Sequence, residues 1–426
     1  MSEKKRIVIT GMAINTRLGD NLDTFYDNLM AGKSGVTNWT MMDTSRIYSK
    51  VGGDLSEYNV REKLATLKPK LPLEQFKKLR RMVKRAPFTT KLSMLAAMDA
   101  YLDAGFKALD PFRTSLAVAG HNLNKMYQHE NYLQFEEEPD YIDNLSSVHS
   151  LDTDHAGSVS EVLGIHGPIY TMGGACASGN IALRNTVDEI RHHDHDVGFV
   201  VGATLEFAPL DLHAMCLLGA ISFQSFNDTP EQASRPYDAK REGFIPSHGT
   251  AVLVVEDLEH AKARGAKIYA EILGVTATSD ANHLPTPSEE GQTRTMQRLL
   301  KNSGVAPEQV DYICAHATST PLGDITEINS IKRVFGDHAK KLKINAPKSM
   351  LGHTCWSAAV VETVAGVMQM QKGWLHPSIN IEERDSRVDL DVCANEPVEH
   401  QIEIMLKNSF GFGGINVCSL IKRYSN

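Results

Sequence analysis

Apolar and polar positions alternate along the chain in a pattern that predicts strands and helices in turn. Near the start, residues 6–14 (RIVITGMAI) form an apolar run rich in β-branched residues, and residues 267–281 (KIYAEILGVTATSDA) have the same character past the middle. Each run is followed by helical patterns that alternate with short apolar strands, at residues 197–203, 249–256, 310–316 and 418–423. The alternation predicts layered α/β structure, and the two similar beginnings suggest that one such unit is duplicated.

Composition is that of an ordinary globular protein, with 426 residues of which 42% are hydrophobic and 23% charged. The formal net charge of -8 argues against bulk nucleic-acid binding, which needs a basic surface. No apolar run reaches the roughly 18 residues of a membrane span, and the polar start lacks the features of a secretory signal. We therefore expect a cytoplasmic protein that binds neither nucleic acid nor membrane.

The six cysteines are scattered and contain no C-x-x-C pair, so neither a zinc site nor a disulfide framework is indicated. One of them stands in an unusual setting. Cys176 lies in TMGGACASGN, where small residues allow a sharp bend before an amphipathic helical pattern begins. At a helix N-terminus the thiolate is favoured and free N–H groups can hold an oxyanion. An isolated cysteine is most often a buried structural residue, but the glycine-rich surroundings favour a nucleophile here.

Three further motifs place polar side chains in turns after apolar strands. The motif CAHATSTPLGDITE carries His316, NAPKSMLGHT carries Lys348 and His353 around a glycine, and NSFGFGGIN has glycines that let backbone N–H groups approach a ligand. A lone histidine is usually structural. Two histidines, a lysine and a cysteine in turns of the same kind point instead to one site.

Taken in order, the four motifs resemble those of the β-ketoacyl-acyl-carrier-protein synthases, and the resemblance covers nearly the whole chain. The segments SRPYDAKREGF and TSDANHLPTP fit as well. The resemblance implies an α/β thiolase fold, in which two pseudo-duplicated halves stack as alternating helix and sheet layers and form a homodimer. Residues 1–260 would form the half that carries Cys176, and residues 261–426 the half that carries the two histidines and the lysine.

The same resemblance implies a role for each matching residue. Cys176 matches the nucleophile that accepts an acyl group from a thioester. His316 and His353 match the histidines that stabilise the enolate formed when a malonyl thioester loses carbon dioxide. Lys348 matches the lysine that supports this pocket, and Glu327 matches its acidic partner.

Substrate delivery is implied by three more positions. Thr318 and Thr320 match threonines that hydrogen-bond a phosphopantetheine arm. Phe412 matches a gating phenylalanine whose N–H forms the oxyanion hole with that of Cys176. The substrates would arrive on the phosphopantetheine of an acyl carrier protein, and we expect no metal and no other cofactor.

The densest basic run, residues 77–91 (KKLRRMVKRAPFTTK), has two interpretations. A run of charges is usually a solvated helix face. Carrier proteins are acidic, however, so charge complementarity makes this run a candidate docking surface. The docking candidates are Arg80, Arg81, Lys84 and Arg85.

Some positions depart from the usual pattern of the family. Ala317 replaces the glycine of HGTST, His248 stands at the acidic position of GEG, and Trp356 interrupts a run of small residues. These features resemble free-standing ketosynthases of trans-acyltransferase polyketide pathways, including those of β-branching cassettes. Many such cassette proteins carry serine at the nucleophile position and only decarboxylate the malonyl group on a carrier protein.

Three hypotheses follow. The first is a β-ketoacyl-acyl-carrier-protein synthase of polyketide or fatty-acid synthesis, and the alternative is a free-standing decarboxylase that supplies acetyl-carrier protein to a β-branching cassette. The third, a non-catalytic chain-length partner, is disfavoured because such partners typically lack the cysteine that this chain keeps at position 176. A thiolase is disfavoured too, because it would not need two histidines and a lysine in this arrangement. Acyl chain length, cognate carrier protein and pathway are not fixed by the sequence.

Overall fold

The computed structural model describes residues 5–425, within which the chain forms fourteen strands and fourteen α-helices. The strands are β1 (Ile7–Thr16), β2 (Thr37–Asn38), β3 (Val51–Gly52), β4 (Thr114–Ala119), β5 (Ile169–Met172), β6 (Val197–Gly202), β7 (Gly249–Asp257), β8 (Ala270–Ser279), β9 (Tyr312–Cys314), β10 (Lys343–Asn345), β11 (Trp374–Leu375), β12 (Val398–Glu399), β13 (Ile404–Gly411) and β14 (Ile415–Arg423). The helices are α1 (Leu22–Met30), α2 (Val60–Leu67), α3 (Leu73–Arg85), α4 (Phe88–Asp103), α5 (Lys125–Glu137), α6 (Ser146–His149), α7 (Thr153–Leu163), α8 (Ser178–His192), α9 (Pro209–Leu217), α10 (Leu258–Ala263), α11 (Glu289–Ser303), α12 (Gly323–Phe335), α13 (Lys348–Leu351) and α14 (Ala358–Lys372).

Ten strands form one continuous sheet in the order β10-β9-β13-β14-β8-β1-β7-β6-β4-β5. Outward from the central pair β8 and β1, the two arms repeat the same pairing pattern, with two antiparallel neighbours followed by two parallel ones. The strands also enter each arm in the same chain order. The prediction of two duplicated α/β halves is therefore confirmed, while the division at residues 260 and 261 stays a prediction.

Two central helices, α8 and α14, pack between the arms, and each contacts strands of both. Helices α4 and α7 cover the outer face of the first arm, and α11 with α12 covers the second. Apolar clusters fill the space between these layers. Within residues 5–425, no helix combines the length and the apolar character needed to cross a membrane.

Each central helix begins at a tight turn whose first residue has a positive φ. Ala175 has a φ of 47° and Cys355 a φ of 51°, in the left-handed region that non-glycine residues seldom adopt. Such strain persists only where the surrounding packing fixes it, and it is frequent at functional sites. Because the two turns occupy equivalent places in the two halves, Cys176 and Trp356 are structural counterparts.

Candidate active site

The four predicted motifs converge on one cavity of about 300 Å³. The cavity lies where the start of α8 meets the end of β13 and the turns that follow β9 and β10. Six of the predicted residues line it: Cys176, His316, Thr318, Thr320, His353 and Phe412. The structure thus brings together residues that are up to 236 positions apart in the chain.

The nucleophile candidate is held between the start of α8 and the end of β13. Cys176 is only 7% exposed. A Cβ atom on Gly411 would lie 2.6 Å from the carbonyl oxygen of Gly174, so this close approach of β13 requires glycine. The backbone N–H groups of Phe412 and of Cys176 itself lie near the sulfur, and both lower the pKa of the thiol. Those two donors are the ones predicted to form the oxyanion hole.

The thiol of Cys176 is protonated at neutral pH. Burial raises its pKa to about 11, although Lys348 and the N–H of Phe412 act in the opposite direction. The expectation that the helix start would favour the thiolate is therefore wrong, because loss of water outweighs the nearby positive charge.

The two histidines face the thiol. One ring nitrogen of His316, one of His353 and the sulfur of Cys176 all lie within 4.8 Å of one another. The imidazole rings are nearly perpendicular, with centroids 5.6 Å apart. One thiol and two imidazoles are also donor types that zinc accepts, and among residues 5–425 this is the one group of three such side chains close enough to share a metal ion.

The tautomer of His353 follows from its hydrogen bonds. Its Nδ1 accepts the backbone N–H of Cys355 at 3.1 Å, so the ring proton is on Nε2. This buried Nε2 has no hydrogen-bond partner among residues 5–425. An unpaired buried donor is costly unless a ligand uses it, and beside this cavity it is suited to an anionic oxygen.

Both imidazoles are neutral at ordinary pH. Burial lowers the pKa of His316 well below its usual range, and Lys348, His353 and Lys407 lower it further. Burial, Lys348 and Lys407 lower the pKa of His353 in the same way. A neutral imidazole carries one N–H group that can donate a hydrogen bond, and it has no net charge. Enolate stabilisation needs the imidazoles in this state.

Lys348 corrects one prediction. It is buried and forms an ion pair with Glu362 of α14 rather than with Glu327. Glu327 accepts instead the backbone N–H groups of His316 at 2.8 Å and Ala317 at 2.7 Å, and the side-chain amide of Asn408 at 2.9 Å. Glu327 does not pair with Lys348 because α12 directs its side chain toward the turn after β9. There the carboxylate fixes the position of His316.

Two buried charged residues of the site were missed from the sequence. Glu362 lies in α14, where every residue from Ala358 to Met370 is buried, and its second carboxylate oxygen is 2.8 Å from Nζ of Lys407 on β13. The available signal was a charge inside an apolar pattern, in AAVVETVAG and in IMLKNSF. A buried charge needs an opposite charge nearby, so such a residue implies a partner.

The threonine turn lines the entrance to the cavity. The Oγ1 atoms of Thr318 and Thr320 are 3.1 Å apart. Ser319 between them has a φ of 68° and donates its N–H to Asp324 at 3.1 Å. Arg241, from the segment SRPYDAKREGF, donates to the carbonyl oxygen of Thr320 at 3.0 Å. These contacts hold both hydroxyls toward the cavity.

The unusual residues take different places. Ala317 lines the cavity. His248 does not; it is buried against Trp39, with ring centroids 5.0 Å apart, and its Nδ1 accepts the N–H of Leu55 at 3.3 Å. His248 therefore belongs to an aromatic cluster behind the site.

Trp356 packs beside the nucleophile turn. Its indole stacks on His121 with centroids 4.5 Å apart, and its Nε1–H donates to the carbonyl oxygen of His121 at 2.9 Å. The His121 ring in turn touches Gly173, where a Cβ atom would lie 2.8 Å from Cδ2. The pair of Trp356 and His121 thus packs against Gly173 in the nucleophile turn.

The four docking candidates lie elsewhere on the surface. They are exposed on α3, which packs against α4 and α7. They do not line the cavity that reaches Cys176, and their role stays a prediction.

Known proteins match this chain along its length. Residues 4–261 match the family "Beta-ketoacyl synthase, N-terminal domain" and residues 269–382 match "Beta-ketoacyl synthase, C-terminal domain". A 3-oxoacyl-[acyl-carrier-protein] synthase 2 of Coxiella burnetii is 35% identical over 426 residues, which cover 99% of each chain. A chloroplastic 3-oxoacyl-[acyl-carrier-protein] synthase I of Arabidopsis thaliana is 33% identical over 97% of this chain and 85% of that one.

Solved structures of ketosynthases superpose on this chain over nearly its whole length. The ishigamide ketosynthase/chain length factor superposes with a TM-score of 0.88 at 26% identity, over 99% of this chain and 100% of the other. A type II polyketide ketosynthase, solved with its acyl-carrier protein and bound to the hexaketide, gives a TM-score of 0.86 at 28% identity, again over 99% and 100%. Family models match both halves of the chain, and its motif order and fold are those of ketosynthases. This chain therefore belongs to the β-ketoacyl synthase family.

Proposed function

We propose that the protein is a β-ketoacyl-acyl-carrier-protein synthase, an acyltransferase that joins an acyl group on Cys176 to the enolate of a decarboxylated malonyl thioester. The observation that carries the proposal is the close grouping of one thiol and two imidazole nitrogens within 4.8 Å. The acyl-enzyme and the enolate would form at adjacent positions, which is the geometry that carbon–carbon bond formation needs.

The first step transfers the acyl group. The sulfur of Cys176 attacks the acyl thioester and loses its proton as the bond forms, and the carrier thiol leaves protonated. The tetrahedral oxyanion would be held by the N–H groups of Cys176 and Phe412, both of which lie near the sulfur.

The second step makes and uses the enolate. Malonyl thioester loses carbon dioxide, and the electron pair moves onto the thioester oxygen, which the N–H donors of His316 and His353 stabilise. The enolate carbon attacks the acyl carbonyl, and collapse of the tetrahedral intermediate expels the Cys176 sulfur, which regains a proton. The product is a β-ketoacyl thioester on the carrier protein.

The substrates reach this site on a phosphopantetheine arm. The hydroxyls of Thr318 and Thr320 line the cavity and can bind the amides of such an arm. The Coxiella burnetii relative is named as a synthase of acyl-carrier-protein substrates. The type II polyketide ketosynthase was solved in complex with its own acyl-carrier protein. We infer the same class of partner here, and the chemistry needs no metal or redox cofactor.

The decisive measurement is the product formed from malonyl-carrier protein. We expect acetyl-carrier protein when malonyl-carrier protein is given alone, and some β-ketoacyl-carrier protein when a short acyl donor is added, because the enzyme has both a thiol and the histidines. Intact-mass analysis of the carrier protein distinguishes the products. If acetyl-carrier protein alone forms with acyl donors of several lengths, the condensing role is wrong.

A second candidate is the decarboxylase that supplies acetyl-carrier protein. The observation in its favour is the stack of Trp356 on His121 beside the nucleophile turn, since a closely packed site leaves little room for an acyl chain. If this stack narrows the acyl pocket, only short acyl groups load on Cys176.

We infer that carrier-protein docking uses Arg80, Arg81, Lys84 and Arg85. Charge reversal at Arg80 and Lys84 should raise the apparent KM for carrier-bound substrate and flatten its salt dependence, because salt screens attraction between opposite charges. A small pantetheine thioester should react at nearly the original rate. Lys301→Glu, an exposed reversal on α11, is the matched control. Equal losses with both substrates would indicate damage to the fold instead of docking.

We also infer a homodimer. β5 ends the sheet and pairs with β4 on one side only, and Ile169 at its start is exposed. The opposite end is covered, because the N–H of Ile344 on β10 donates to the carbonyl oxygen of Asp391 at 3.0 Å. Near β5 in the chain, α5 has no buried residue and exposes Tyr132, Leu133 and Phe135. An open edge strand and an apolar helix suit pairing with a second copy.

A further inference from the structure

Lys407 is a buried cation that the steps above do not use. It lies inside the sheet on β13, opposite Cys314 of β9 and Ser419 of β14, and its side chain is 0% exposed. Its Nζ is 2.8 Å from Oε2 of Glu362, whose other oxygen pairs with Lys348. One carboxylate therefore bridges two ammonium groups that come from different elements.

The charge balance around the histidines depends on this lysine. The charged groups that act on both imidazoles are Lys348 of α13 and Lys407 of β13. The carboxylates of Glu362 of α14 and Glu327 of α12 act on Lys407. The nearby thiols are neutral, because burial raises the pKa of each; they are Cys176, Cys314, Cys355 and Cys418. Without Lys407 the two carboxylates would face one ammonium, and a net negative charge favours protonated imidazole.

We propose that Lys407 is a positioning residue, which clamps Glu362 against Lys348 and supplies a second positive charge that favours the neutral forms of His316 and His353. The inference rests on the proposed function for its kinetic consequence, but not for its effect on the histidines themselves. Lys407 also lies next to Asn408, whose amide binds Glu327 at 2.9 Å. A single strand thus links both buried carboxylates.

The direction of the effect follows from the sign of the charge. Lys407 contributes to the lowered pKa of both histidines, after burial and Lys348. Removing a cation raises an imidazole pKa, so the neutral form is lost at a higher pH.

The test is the pH profile of carbon dioxide release from malonyl-carrier protein by Lys407→Met, which keeps the apolar stem and removes the charge. We expect its acid limb to lie at a higher pH than that of the original enzyme, because the imidazoles lose a neighbouring positive charge. Lys407→Arg keeps the charge and should keep the original limb. A purely structural lysine would lower the rate by the same factor at every pH, and that result, or an unmoved limb, would overturn the proposal.

A second readout does not need turnover. NMR titration of ring-labelled histidines should show the His316 and His353 signals of Lys407→Met titrating at higher pH than in the original protein. Unmoved titrations would refute the proposal even if the enzyme is active. If Lys407→Met does not fold, Lys407→Gln gives the same two measurements, because it also removes the charge and keeps a polar end. If malonyl-carrier protein is not decarboxylated at all, the proposed function fails while the titration still tests Lys407.

Discussion

Cys176→Ala abolishes acyl loading of the protein. The original enzyme, incubated with an acyl thioester, should gain the mass of one acyl group, because the thiol lies beside two backbone N–H donors in the cavity. The alanine variant keeps the cavity and has no nucleophile, so intact-mass spectrometry should show no gain.

The matched control is Cys216→Ala, which removes a buried cysteine that does not line the cavity. It should load as the original does. Peptide mapping that places the acyl group on another cysteine would overturn the assignment of Cys176.

His353→Ala slows the release of labelled carbon dioxide from malonyl-carrier protein by at least about 10²-fold, the usual effect of losing one oxyanion donor. The reason is the buried Nε2–H, which has no partner in the described part of the chain and is fixed as the donor by the bond from the Cys355 N–H to Nδ1. Substitution by alanine removes this N–H donor, which is already oriented before the enolate forms and therefore needs no reorganisation to stabilise it.

Two controls separate chemistry from folding. His193→Ala changes an exposed histidine and should leave the rate as it was. His353→Gln restores an N–H donor and should recover part of the lost rate of carbon dioxide release. Equal melting temperatures of all three variants would show that the fold is intact. Unchanged release by His353→Ala would remove this residue from the mechanism.

The two pKa directions at the site bear on how acylation begins. Burial raises the pKa of Cys176 to about 11 and lowers those of both histidines. A thiolate–imidazolium pair is therefore disfavoured in the cavity, since both charged forms have lost water. The proton must leave the sulfur as the thioester is attacked, while the oxyanion forms between the N–H groups of Cys176 and Phe412.

The amino-acid sequence by itself determined the class of fold and the principal groups of the site. Strand and helix patterns are local, because they depend on periodic burial along one segment. The small residues around Cys176 and the glycines of NSFGFGG require tight turns wherever they occur. Those local requirements were enough to predict two α/β halves and to place Cys176, His316 and His353 in turns that could meet.

Only the tertiary structure decided which charges pair and what state the thiol has. Lys348 is 14 residues from Glu362 and 59 from Lys407 in the sequence, and their meeting depends on how α13, α14 and β13 pack. The same packing removes water from Cys176 and reverses the pKa shift that the helix start suggested, and it stacks Trp356 on His121. Ion pairing and the loss of water around a side chain both depend on residues that are distant in the sequence. A local sequence pattern therefore cannot determine them.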